Sequence, residues 1–236
     1  MKRIALFAAC LLLLLPVVVS PATGGEVIDA VVATVNHKPL LQSDWEEAIC
    51  FEAFMQQKAL SQVTQDDRVK ALQRLIDRQL LKAQMGNENY LQPSPDEIEK
   101  NIATLRAQVA NGNDNRHWQQ LLASYGLSEP MLKDHLRTET QMMNFIDVRL
   151  RPTVHVQPDE VEAYYKNQLL ADLQNNGGKI IAFEEVEAKI RELLTQQRMD
   201  ELLDVWLHNL RQQAEIQSTV PIPTLTGPTE QASGSN

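Results

Sequence analysis

Basic side chains, cysteines and catalytic constellations are all scarce in this sequence, and each scarcity excludes something. The 236 residues carry 22 Lys+Arg against 31 Asp+Glu, a formal net charge of −9. Phosphate neutralisation supplies most nucleic-acid affinity and needs the opposite sign, so nucleic acid is not an expected partner. An acidic surface also favours solubility and discourages anionic membranes. Cysteine occurs only at Cys10 and Cys50. The five histidines, His37, His117, His135, His155 and His208, include no pair three or four apart on one helix. A zinc site is therefore not expected. No His-Glu-x-x-His run, phosphate loop, dinucleotide fingerprint or Gly-x-Ser-x-Gly elbow occurs. The carboxylate pairs Asp66-Asp67, Asp159-Glu160 and Glu184-Glu185 sit where helices are expected to begin, and there they complement the helix dipole. Neither a catalytic residue nor a cofactor is expected, and the chain is not read as an enzyme.

The one long apolar run is at the N-terminus. Lys2 and Arg3 precede Ile4 to Val19, broken only by Pro16, and small residues follow at Ser20, Ala22, Gly24 and Gly25. This is the pattern of a cleavable export signal over 1–25. The run is shorter than the roughly 20 residues a membrane-spanning helix needs. Phe7-Ala8-Ala9-Cys10 loosely resembles a lipobox, but most of the apolar run lies after Cys10, which argues against lipidation. Cleavage leaves 20 basic against 31 acidic residues, a net charge near −11. It also leaves Cys50 alone, so no intramolecular disulfide is possible. With Ala48, Ile49, Phe51 and Phe54 around it, Cys50 reads as a small apolar side chain. An activated thiol wants an electropositive neighbourhood.

The remainder is rich in helical periodicity. Val31 to Val35 reads as a strand, Asn36-His37-Lys38-Pro39 as a turn and Leu40-Leu41 as a short return strand. Ser43-Asp44-Trp45-Glu46 reads as a capping box for a helix to about Met55. Val69, Leu72, Leu75, Ile76 and Leu80 recur at helical spacing from Asp66 to Met85, stopped by Gly86-Asn87. Ser94-Pro95 opens a helix through Ile98, Ile102, Leu105 and Val109, broken at 111–115. Trp118 to Tyr125 forms a short helix ended by Gly126, and Ser128-Glu129-Pro130 begins a longer one ending at Arg151-Pro152. Pro158-Asp159-Glu160 opens a helix reaching about Leu170, and 175–178 is a break. From Phe183, the residues Val186, Ile190, Leu193, Leu194, Leu202, Leu203, Trp206 and Leu210 keep one helical period, so a helix of ~45 Å is expected. Residues 214–217 read as a short strand. The Pro-, Thr-, Gly- and Ser-rich 218–236 reads as a disordered tail.

Trp45, Trp118 and Trp206, with Met142, Met143 and Phe145, have two readings. Their helical spacing suits core packing. They would also suit an apolar groove that accepts many sequences, methionine being flexible and polarizable. These six are the candidate client-binding residues.

The order of elements resembles a known family. Val31-Val32-Ala33-Thr34-Val35-Asn36 followed by Leu41-Gln42-Ser43-Asp44 is similar to the opening signature of SurA-type chaperones. Leu75-Ile76-Asp77-Arg78-Gln79-Leu80-Leu81 resembles that family's second helix, and Gln157-Pro158-Asp159-Glu160-Val161-Glu162-Ala163-Tyr164-Tyr165 the helix after its short strand. Phe183-Glu184-Glu185-Val186 and Ile190-Arg191-Glu192-Leu193-Leu194 resemble its closing helix. In many relatives a parvulin-type prolyl isomerase domain precedes that closing helix. Here the interval is Ala171 to Ala182, far below the ~50 residues of a small domain.

The resemblance implies a mainly α fold: a helical SurA-type core with a short N-terminal β-hairpin and a long C-terminal helix packing back on the N-terminal helices. The implied organisation is a chaperone region at 26–170, a linker at 171–182 in place of the isomerase, and 183–217 completing the same domain. It implies an ATP-independent periplasmic holdase for unfolded exported or outer-membrane proteins, working as a homodimer or beside a separate isomerase. The alternative is a non-catalytic scaffold for one envelope partner.

Overall fold

A computed structural model describes residues 29–86, 91–175 and 177–221. The expected export signal lies outside these residues, as does the expected tail beyond 221. β1 (Val31–Val35) turns back into β2 (Lys38–Leu41) through Asn36 and His37, with φ of 48° and 66°. Two consecutive left-handed residues match the right-handed twist of a two-residue hairpin, and Asn tolerates that region best. β1 also pairs antiparallel with β3 (Ile216–Ser218), so the sheet order is β2-β1-β3. Pro39, which has no N–H to donate, falls on an edge strand.

α1 (Gln42–Met55) begins ahead of the expected Ser43 box. The Ser43 backbone N–H and hydroxyl both bond the Asp29 carboxylate, while the Leu41 N–H is capped by Asp44 at 3.1 Å. α2 (Gln65–Met85) has a true box: Thr64 Oγ1 accepts from the Asp67 N–H at 3.2 Å, and Asp67 accepts from the Thr64 N–H at 2.7 Å. α3 (Pro95–Gln108), α4 (Asn115–Ser124) and α5 (Glu129–Leu150) are capped by Ser94, Asp114 and Ser128. α6 (Pro158–Tyr164) passes through a π-helical turn (Tyr165–Leu169) into α7 (Leu170–Asn175). The helix therefore outlasts the expected Leu170, and 171–175 is helical where a linker was expected. α8 (Phe183–Gln213) is 31 residues long, ~46 Å at 1.5 Å per residue.

These elements bury three apolar clusters. The first joins the sheet (Val32, Val35, Leu40), α2 (Leu72, Leu75, Ile76, Leu80), α5 (Met142, Phe145) and Leu210 of α8. The second joins the far end of α1 (Phe51, Phe54) to α3, α4 and the first half of α5. The third is small, with Val161 of α6 against Val186 and Ile190 of α8.

The long C-terminal helix packs back on the N-terminal helices. Leu203, Trp206 and Leu207 lie against the first cluster, and Arg211 bonds Asp77 of α2 at 2.6 Å. The expected tail is ordered at its start, because the Thr219 N–H bonds the Val32 carbonyl at 3.0 Å and Val220 packs on the core.

α8 does not keep the single apolar stripe its sequence suggests. At 3.6 residues per turn, Val186, Ile190 and Leu194 fall within an arc of ~80°. Met199, Leu203, Trp206 and Leu210 fall within an arc of ~60° on roughly the opposite side. The N-terminal half faces α6 and the C-terminal half faces α2 and α5.

Candidate client-binding surface

Where α6 lies on α8, the backbone entering α6 is held by arginines of α8. Arg198 bonds the His155 carbonyl and the Glu160 carboxylate, and Arg191 bonds the Val156 carbonyl at 3.2 Å. The Gln157 backbone N–H and Arg198 together hold the Glu160 carboxyl below its ordinary range. Beside this pair opens a cleft of about 280 Å³, lined by Glu160, Ala163, Tyr164, Asn167, Gln168, Leu194 and Arg198. It offers an aromatic face, an aliphatic floor, two amides and one neutralised ion pair. Those groups suit an extended polypeptide, whose backbone needs hydrogen-bonding partners and whose side chains need apolar cover. The π-helical turn carries Asn167 and Gln168; such turns frequently mark functional sites.

The six candidate residues from the sequence do not share one surface. Trp118 is 0% exposed in the second cluster, and its indole N–H donates to Glu129 at 3.0 Å. Met142 and Phe145 are buried in the first cluster. Trp45 is half-buried and donates to the Arg68 carbonyl at 2.8 Å. Trp206 is half-buried with its ring 5.8 Å from that of Phe145. Met143, at 68% exposure, alone projects into solvent. In this conformation Trp118, Met142 and Phe145 have no face to offer a client.

Other apolar side chains are exposed instead: Val148 on α5, Leu193, Leu202 and Val205 on α8, and Ile180 before α8. Residue type alone favours the tryptophans. The available signal was the surplus of aliphatic residues on α8, more than one stripe can hold, visible only when each half is drawn on its own helical wheel.

The polar groups around Trp118 are committed to structure. Glu129 accepts from Arg106 at 2.6 Å, from Trp118 and from Lys133, and the Arg106 guanidinium lies 5.0 Å from the Trp118 ring centroid. Burial alone would raise the Glu129 carboxyl, but hydrogen bonds from Arg106, Lys133 and Trp118 outweigh it and hold the group below its ordinary value. Cys50 borders a second opening of about 210 Å³ with Glu46, Ile49, Leu60, Val63 and Arg68. Burial, with help from the Glu46 charge, pushes its thiol up, the reverse of activation. Among the described residues no group of three or more His, Cys, Asp or Glu is placed to hold a metal ion, and no helix is long and apolar enough to cross a membrane.

No curated protein matches the sequence. A solved chain described with PEB4 and Cj1289, two structurally related SurA-like chaperones of Campylobacter jejuni, is similar at 11% identity and a TM-score of 0.45. The similarity covers 82% of this chain and 100% of that one. The sequence profile of the SurA-like N-terminal domain matches residues 1–146, more than half of the 236. The chain belongs to the family of SurA-like N-terminal domains, a chaperone family.

Proposed function

We propose that the chain is an ATP-independent holdase that binds unfolded exported polypeptides, outer-membrane proteins among them, in the periplasm. Family membership carries this reading. The apolar side chains left on α5 and α8 and the amide-lined cleft beside α6 support it. A holdase needs no covalent step. It has to cover apolar segments long enough to prevent aggregation, with an affinity modest enough to release them. The acidic exterior keeps the complex soluble. The leader-like 1–25 supports delivery across the inner membrane, followed by cleavage.

The test is light scattering of a denatured outer-membrane β-barrel protein diluted into buffer with and without the mature chain. Suppression of aggregation near equimolar ratio without nucleotide is the expected result. Unchanged scattering would sink the holdase and leave a scaffold for one dedicated partner, to be sought by pull-down from envelope extract. Acceleration of a proline-limited refolding reaction by this chain alone would overturn the non-enzymatic reading.

A further inference from the structure

α8 carries a third stripe that runs out of the α6 contact and away from the core. Leu194, Arg198, Leu202 and Val205 stand at intervals of four, four and three residues, so they line one side of the helix over ~16 Å. The stripe starts in the α6 cleft, of which Leu194 and Arg198 form the floor, and emerges at Leu202 and Val205, 39% and 48% exposed. α5 runs antiparallel to α8, since Phe145 meets Trp206 while Arg151 reaches Glu192. Val148 of α5 is also exposed, at 54%.

Along this side of α8 the cation Arg191 is paired with Glu187, and the charges left unpaired are acidic. Arg198, the one cation on it, is neutralised by Glu160. Glu201 and Asp204 flank Leu202 and Val205, are exposed, and among the described residues have no cation within ion-pair distance. We infer that this strip is a client subsite selecting extended segments in which apolar residues are flanked by Lys or Arg, the apolar side chains lying along Leu194, Leu202 and Val205 and the cations meeting Glu201 and Asp204. The inference rests on the holdase reading and adds a chemical preference to it. The charge pattern disfavours the chain's own 222–236, which contains Glu230 and no basic residue.

Fluorescence anisotropy tests it on the mature chain with labelled peptides sharing a Leu-Phe-Leu core, one flanked by lysines and the other by glutamates. The lysine-flanked peptide is expected to bind tighter, with a preference that shrinks as salt rises. The double variant Leu202→Ser, Val205→Ser should weaken it about tenfold, the loss expected when two already partly buried aliphatic contacts go. Glu201→Lys with Asp204→Lys should reverse the preference between the peptides. Both variants alter exposed side chains, and unchanged circular dichroism checks their fold.

Equal affinity for the two peptides, or affinities untouched by both variants, overturns the inference. If the wild type still suppresses aggregation in that case, the holdase reading stands without it. Tighter peptide binding after removal of 222–236 would make the tail the occupant. Dissociation of a wild-type dimer by Leu202→Ser in sedimentation equilibrium would make it a second copy. Either result overturns the assignment to clients.

Discussion

Trp118 and Glu129 hold the second cluster together through one shared contact. The indole is enclosed by Phe54 at 5.8 Å and by the Arg106 guanidinium, and its N–H ends on a carboxylate that also receives Arg106 and Lys133. Trp118→Ala should cost about 3–5 kcal/mol in urea unfolding, from lost burial plus a cavity. Trp118→Phe should cost less, roughly 1–3 kcal/mol, by leaving a buried acceptor short of one donor. Met143→Ser, at the exposed position, should stay within about 0.5 kcal/mol of wild type.

Glu129 also contributes to the acid response. Glu129, Asp67 and Glu160 are all held below their ordinary values in the folded chain. Stability gained from a depressed carboxylate is fully present above its unfolded pKa and is lost as pH falls through the folded one. The melting temperature should therefore be flat near neutrality and drop below about pH 4.5, the ordinary glutamate value. Glu129→Gln should lower it at pH 7 and flatten the acid limb. A melting temperature that rises on acidification to pH 3 would refute this sign.

At the scale of elements, what the sequence disclosed follows from how local each determinant is. Ser94-Pro95 and Ser128 cap their helices through groups within three residues, so the starts of α3 and α5 could be read directly, whereas the equally local Thr64-Asp67 box escapes the apolar period, which places the start of α2 at Asp66. Ser43 looks equally convincing, yet its hydroxyl bonds Asp29, fourteen residues away, and the cap moves to Leu41 and Asp44. The period of α8 could be read, whereas its change of face could not, because the phase is set by which neighbour each half meets. The candidate site shows the same limit. Tryptophan and methionine mark apolar environments, but whether Trp118 is enclosed or Met143 is bare depends on α3 and α5 coming together around one and not the other.

The two faces of α8 give separable consequences. Ile190→Asp should unseat α6 and α7 while the first cluster still melts cooperatively. Leu210→Asp should destroy cooperative unfolding altogether, as should deletion of 183–217. Far-ultraviolet circular dichroism against temperature distinguishes these cases, and equal damage from both point variants would mean that α8 couples the clusters rigidly.

For the whole molecule, stability is expected to be uneven. The cluster under α6 has three buried residues, whereas that under the sheet has fifteen, so its local opening free energy should be lower. Hydrogen exchange should find the amides of α6 and α7 unprotected well before those of α2. Protection that is uniform across both regions would contradict this.

The pairing of β1 with β3 brings Val32 against Thr219. That contact is a matter of timing. At Val32, one edge of the first strand is paired by residues 186 and 187 positions further along the chain. Contacts between such distant partners form late, because the intervening loop must close first. The three-stranded sheet is thus expected to close after the local helices have formed.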